Sequence, residues 1–242
     1  MNNKPLTLLC FSYAGGNVGF YSRWSRMLPH VRVIPVAIPG RAGAQDKPAL
    51  VTRNEVIDYL LRHCTQWCTQ PFALFGHSLG ARVAFELQQE LEQTLGLTAS
   101  RLFVSGCQEP ERFAQAMCLR ERDLSDSTLL NLLADLGGTP PELLANPQLM
   151  KETLPTIRAD FLLAINLSKC AVTPISAPIN LLLGSQDKVT SLLDDYPGWA
   201  RYSTQGCQVS IIEGDHFFIR SQTTLIARLV GEKLQELAPD AR

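Results

Sequence analysis

The stretch Phe72-Ala73-Leu74-Phe75-Gly76-His77-Ser78-Leu79-Gly80 decides the fold class, and the rest of the chain is ordered around it. Four apolar residues run into Gly76-His77-Ser78-Leu79-Gly80, and Val83, Ala84, Leu87 and Leu91 follow at helical spacing. This is a G-x-S-x-G pattern in the strand-then-helix setting its chemistry needs. A serine hydroxyl is a weak nucleophile until a base takes its proton and its own backbone is turned out of the way. A sharp turn from strand to helix does this at the cost of strain in the serine backbone. Gly76 and Gly80 leave the space for strand and helix to pack around that turn. The amide of Leu79 then faces developing negative charge near the positive end of the helix dipole. An ordinary glycine-rich turn shares the five-letter pattern but does not require both flanks. Ser78 is the candidate nucleophile.

Working outward, short apolar runs at residues 6–11, 32–36, 101–105, 179–183 and 208–212 join 72–75 as strand candidates. They are near-continuous rather than alternating, which suits a parallel sheet covered on both faces. Helical patterns lie between them at 20–28, 54–67, 79–95, 191–201 and 222–237. This alternation predicts an α/β fold with right-handed crossovers. One interval breaks the rhythm: residues 109–169 carry no strand pattern and exceed what a crossover needs. They read as helices at 125–136, 141–144 and 148–167, with Gly137-Gly138-Thr139-Pro140-Pro141 as a C-cap and restart. A helical insertion at that point is placed to cover the C-terminal edge of the sheet, where sites lie, and so to act as a lid. The plainer alternative is a set of extra helices that only cover the core.

Composition narrows the possible functions. The 242 residues suit one large domain, and 45% hydrophobic content supports a substantial core. With 22 basic against 23 acidic residues the net charge is −1, so no strong field favours nucleic acid or an anionic membrane. The apolar run ending at Ser12 is too short to span a bilayer and lacks a convincing cleavage site, which fits a cytoplasmic protein. A monomer is the default expectation. The seven cysteines are scattered, several inside apolar runs where they behave as small hydrophobes. His63, Cys64 and Cys68 have no second ligand pair at metal-site spacing, so neither a metal nor any other cofactor is expected.

A nucleophile needs a base. Of the four histidines, His77 adjoins Ser78 and should point away from its hydroxyl, and His30 and His63 read as surface or packing residues. His216, in Glu213-Gly214-Asp215-His216-Phe217-Phe218, follows the last strand pattern, where the order Ser, acid, His places the base. The acid should precede it. Asp187 emerges at the C-terminal end of the 179–183 run through Gly184-Ser185-Gln186, and can orient the imidazole and stabilise its cation. Glu109, after an earlier strand end, is the rival, while Asp194 and Asp195 suit a helix start and Asp215 points elsewhere. Two amides must converge on the oxyanion. Leu79 supplies one, and the glycine-rich loop Ser12-Tyr13-Ala14-Gly15-Gly16-Asn17 supplies the other through Ala14.

Five segments together resemble a known family. They are Phe11 to Gly16 with Tyr21 and Trp24, Pro39-Gly40-Arg41, Gly76 to Gly80, the 136–144 stretch with Leu154-Pro155 and Arg158-Ala159-Asp160, and Gly214 to Phe218. The sequence resembles the stand-alone type II thioesterases that serve nonribosomal peptide and polyketide synthases. The nucleophile motif is shared by many hydrolases, whereas Gly-Gly-Thr-Pro-Pro-Glu-Leu-Leu with its downstream Arg-Ala-Asp-Phe is far more specific. The resemblance implies an α/β-hydrolase fold over 1–242, with a mostly parallel sheet, helices on both faces and a helical lid at about 109–169. It also implies hydrolysis of acyl thioesters from the phosphopantetheine arm of acyl or peptidyl carrier proteins, clearing stalled or misprimed synthases. Two departures stand out: Ala42-Gly43-Ala44-Gln45 follows Arg41 where the family has a glycine and a second arginine, and Lys188 follows Asp187 in place of a small residue. The same residues would also serve a general carboxylesterase or lipase, or persist in a silent binding module on a hydrolase fold.

Overall fold

The near-continuous apolar runs form strands, and those at Leu6–Phe11, Phe72–His77, Arg101–Ser105 and Ile179–Gly184 bury both of their faces. A computed structural model describes residues 6–41, 44, 46–69, 71–120, 123–139 and 141–236. Strands β1 (Leu6–Phe11), β2 (Val31–Pro35), β3 (Phe72–His77), β4 (Arg101–Ser105), β5 (Ile179–Gly184) and β6 (Cys207–Ile212) make one sheet in the order β2-β1-β3-β4-β5-β6. All five pairings are parallel. Successive side chains alternate between two cores. Leu9, Phe11, Leu74 and Leu181 face one, and Leu8, Cys10, Phe75 and Leu182 face the other. Burial of each such side chain contributes about 1.5–3 kcal/mol, so a slip of register would be costly.

The helices are α1 (Trp24–Met27), α2 (Arg53–Cys64), α3 (Leu79–Leu95), α4 (Pro110–Arg120), α5 (Asp126–Leu136), α6 (Pro141–Leu144), α7 (Pro147–Ser168), α8 (Leu192–Ala200), α9 (Phe218–Ser221) and α10 (Thr223–Gln235). One core packs the sheet against α2, α3 and part of α7, and the other packs it against α1 and α10. Local chemistry sets several ends. Thr52 and Glu55 close a capping box on α2, and Gly96 and Gly137 adopt left-handed C-caps on α3 and α5. The 20–28 pattern forms a 3-10 turn, Val18–Arg23, that runs into α1, and the end of the 222–237 pattern lies outside the described residues.

Between β4 and β5 the chain inserts four helices, α4 to α7. The sequence pattern marks α5, α6 and α7 but not α4. Glu109 caps that helix by accepting the amides of Glu111 and Arg112 at 3.0 Å each, and Pro110 opens it. Leu129, Leu133, Met150, Leu154, Ile157 and Phe161 form a separate small core among these helices. Residues Leu163, Ala164 and Leu167 on α7 join the main core, so α7 is the shared wall between the two.

This topology fixes where a ligand can sit. The chain leaves β1 toward β2 on one side and returns to β3 on the other. The connections after β1 and β3 therefore diverge, opening a crevice at the C-terminal ends of the strands. Ser78 and the 12–17 loop both lie there. Among the described residues no helix is long and apolar enough to cross a membrane.

Candidate active site

At the end of β3 the chain reverses into α3 through Ser78, whose φ of 52° and ψ of −121° make it the one non-glycine residue with positive φ among those described. Such a conformation costs of order 1–3 kcal/mol and persists only where the surroundings impose it. Here they do. A Cβ on Gly76 would lie 2.2 Å from the Gly80 carbonyl oxygen, and one on Gly80 would lie 2.3 Å from the Phe11 carbonyl oxygen. Strand, turn and helix are thus in backbone contact, and the Ser78 amide donates to the Ser105 carbonyl at 2.8 Å.

The turn carries Ser78 Oγ to 3.1 Å from His216 Nε2, and His216 Nδ1 lies 3.0 Å from Asp187 Oδ2. A carboxylate only accepts, so Nδ1 carries the imidazole proton and Nε2 is left to accept from the serine hydroxyl. Asp187 Oδ1 also accepts the Val189 amide, and Oδ2 the Thr190 hydroxyl, both at 2.8 Å. Burial alone would raise the Asp187 carboxyl. The hydrogen bond and charge of His216, the Val189 amide and the Thr190 hydroxyl outweigh it and hold the group below the usual aspartate value. Gly184 lets the two loops close together, since a Cβ there would meet the Asp215 and Gly214 carbonyl oxygens at 2.7 and 2.8 Å.

The other acidic candidates are occupied elsewhere. Glu109 caps α4, while its own amide donates to Asp195 at 2.9 Å. Asp194 is exposed, and Asp215 accepts the Phe217 amide. His30 and His63 are exposed, the latter stacked on Tyr59. Cys64 and Cys68 are buried, and burial pushes each thiol up to about 12.

Beside the serine lies a cavity of ≈ 60 Å³ lined by Ala14, Leu79, Phe113, Met117, Phe161 and His216 among others. Its walls come from α4 and α7 as well as from the sheet edge, so the inserted helices do reach the site. The amides of Ala14 and Leu79 have no hydrogen-bond partner within the described residues, and Leu79 is the first residue of α3, where the helix N-terminus leaves its amides open. The arrangement offers a serine, a base, an oriented acid and two open amides around one apolar cavity.

Two residues matter here in ways the sequence did not show. His77 is fully buried, with Nε2 2.9 Å from the His216 carbonyl oxygen and Nδ1 2.9 Å from Ser105 Oγ. The carbonyl only accepts, so Nε2–H donates to it and Nδ1 accepts from the Ser105 hydroxyl. Burial, with His216 beside it, pushes the His77 imidazole down to about 3. His77 therefore stays neutral and holds the backbone of the loop that carries His216. Asp160 on α7 is the second: it accepts the Gly15 amide at 2.8 Å and Arg41 Nε at 2.7 Å. Arg41 is thereby turned into the fold, and Ala42, Gly43 and Gln45 of the departing stretch lie outside the described residues.

Comparison with known proteins places the chain in a family. Residues 6–234 match the thioesterase domain family. The linear gramicidin dehydrogenase LgrE of Brevibacillus parabrevis is 30% identical over 232 residues, 94% of this chain and 87% of its own. Its name denotes an oxidoreductase, but here β1 runs into Ser12-Tyr13-Ala14-Gly15-Gly16 without the G-x-G-x-x-G turn of dinucleotide sites. The structure of ClbQ from the colibactin pathway aligns with a TM-score of 0.84 and 25% identity over 97% of this chain and 98% of that one. The type II thioesterase BorB from the borrelidin cluster aligns with a TM-score of 0.81 and 28% identity, covering 96% of each chain. The fold is an α/β-hydrolase fold, and the chain belongs to the thioesterase family, among the type II thioesterases of nonribosomal peptide and polyketide pathways.

Proposed function

We propose that the protein releases acyl groups from the phosphopantetheine arm of carrier proteins, using Ser78, His216 and Asp187 as its catalytic triad and Ala14 and Leu79 as oxyanion donors. It acts as a single hydrolase domain with α4 to α7 as its lid. The observation that carries this reading is the hydrogen-bonded chain from Ser78 through His216 to Asp187, set on a strained turn beside an apolar cavity.

Ser78 Oγ adds to the thioester carbonyl as its proton passes to His216 Nε2, and the carbonyl oxygen becomes an anion facing the Ala14 and Leu79 amides. Asp187 stabilises the imidazolium. The adduct collapses, the C–S bond breaks, and the departing sulfur takes the proton from His216. A thiolate is a good leaving group because its thiol pKa is near ~8.5, so this step needs little acid assistance. His216 then removes a proton from water, which attacks the Ser78 ester, and the carboxylic acid leaves as Oγ regains its proton. Phe113, Met117 and Phe161 give the cavity apolar walls suited to an acyl chain.

The test is intact-mass spectrometry of a butyryl-loaded carrier protein before and after exposure to the enzyme. The native enzyme should return the carrier to its free-thiol mass, and Ser78→Ala should leave it loaded while remaining folded. Full release by Ser78→Ala would sink the mechanism. A strong preference for oxygen esters of equal chain length would shift the assignment to a general carboxylesterase.

A further inference from the structure

Asp160 is a buried carboxylate whose partners come from separate parts of the chain. It projects from α7, and its two oxygens take the Gly15 amide, in the loop after β1, and the Arg41 guanidinium, in the loop after β2. The Arg41 and Asp160 side chains are only 7% and 5% exposed. Three of the four remaining Arg41 N–H groups go to the Pro39, Leu50 and Ala159 carbonyl oxygens, so the guanidinium is fixed from several directions. Gly15 has a φ of +71°, and a Cβ there would stand 3.3 Å from Ile157, one turn before Asp160. Thus α7 meets this loop twice, once by packing and once by a charge-assisted hydrogen bond.

We propose that Asp160 is the positioning residue of the oxyanion hole, coupling the seat of α7 to the aim of the Ala14 amide. The inference rests on the reading of Ala14 as an oxyanion donor. Holding the Gly15 N–H fixes the peptide plane that follows Ala14, and the loop then has little freedom to swing the Ala14 N–H. The same helix carries Phe161 and Ala164 into the cavity wall. An acyl group that fills the cavity therefore presses on the element that aims the donor. Rate and acyl recognition are coupled through one helix, and the Arg-Ala-Asp stretch singled out in the sequence acquires a physical role.

The test compares the native chain with Asp160→Ala and Asp160→Asn, the latter keeping the shape and an acceptor for Gly15. Three quantities are read: kcat and KM for butyryl-CoA, inhibition by an alkyl trifluoromethyl ketone, and the Kd of the thioether analogue of butyryl-CoA. The ketone forms an adduct on serine that carries an oxyanion, whereas the thioether has no carbonyl oxygen. Loss of one oxyanion donor typically costs about 10²–10³ in kcat, and Asp160→Ala is expected to lose roughly 30–100-fold because the amide is misaimed rather than removed. Ketone affinity should fall by the same factor, with KM and thioether affinity within about twofold, and Asp160→Asn should lie between the variant and the native enzyme. Retention of kcat and ketone affinity by Asp160→Ala overturns the proposal. So does a parallel loss of ketone and thioether affinity in both variants, the mark of a merely structural residue. A native chain that neither cleaves butyryl-CoA nor binds the ketone overturns the hydrolytic reading itself, and this inference with it.

Discussion

Replacing His77 by leucine removes two hydrogen bonds at once, and their loss can be followed as a function of pH. The His216 carbonyl and the Ser105 hydroxyl would both be left without their partner in a fully buried setting. An unsatisfied buried group costs about 1–3 kcal/mol, and the serine hydroxyl can rotate to another acceptor, so His77→Leu should cost roughly 2–4 kcal/mol near neutral pH. The pH dependence follows from the His77 imidazole, which burial pushes from its ordinary 6.5 to about 3. A histidine depressed in the folded state lends its stability above the unfolded value, and that stability is lost as pH falls. Between pH 6.5 and about 3 the unfolded chain binds a proton that the folded chain refuses, at about 1.4 kcal/mol per pH unit. The variant has no such proton. Urea unfolding, followed through the buried Trp24 and Trp199, should show the gap between native and variant shrinking by roughly 2 kcal/mol from pH 6.5 to pH 4.5, the unfolded imidazole being already half protonated at the upper end. A gap that stays constant over that window would refute the neutral, buried His77. In the same variant kcat should fall with little change in KM, and His77→Gln, whose amide can donate to the His216 carbonyl, should recover part of it.

Ser78→Gly should be more stable than Ser78→Ala by about 1–2 kcal/mol, since only glycine relieves a φ of 52°; equal urea midpoints would contradict strain at the turn. Asp187→Asn should lower kcat by roughly 10³–10⁴ with the fold preserved, because the amide no longer enforces the imidazole tautomer, and turnover within tenfold of native would remove Asp187 from the proposed triad. Met117→Ala should enlarge the cavity that Met117 lines and shift kcat/KM toward longer acyl chains, at a stability cost of about 2–5 kcal/mol. An unchanged chain-length profile across a thioester series would show that the acyl group lies elsewhere.

What the sequence made legible was local. The apolar run, the glycine spacing and the helix pattern around Ser78 each constrain neighbours a few residues away, so β3, the turn and α3 read directly. Asp187 and His216 read almost as well, because both leave strand ends that the parallel sheet brings to one edge. The helix α4 is harder to read: its buried residues among those described are Pro110, Phe113 and Met117, and a single pair of large apolar side chains shows no period, although Glu109 and Pro110 mark its start. The sequence shows of His77 only that, beside Ser78, it should point away from the hydroxyl. It does, and in doing so it reaches a carbonyl 139 residues along the chain. Asp160 is similar: its partners lie 119 and 145 residues away, and no local pattern records them. Long-range polar contacts carry no periodicity, so only the folded chain shows them.

The most direct measurement is to quench the native enzyme with acid during turnover of a butyryl-loaded carrier and map the acyl group by peptide mass spectrometry. Butyryl mass is expected on the peptide that contains Ser78, as an ester stable to acid, and absent from the Ser78→Ala variant, which should release no butyrate. An acyl group mapped to another side chain of the cavity, such as Cys107, or butyrate release by Ser78→Ala at the native rate, would contradict nucleophilic catalysis by Ser78.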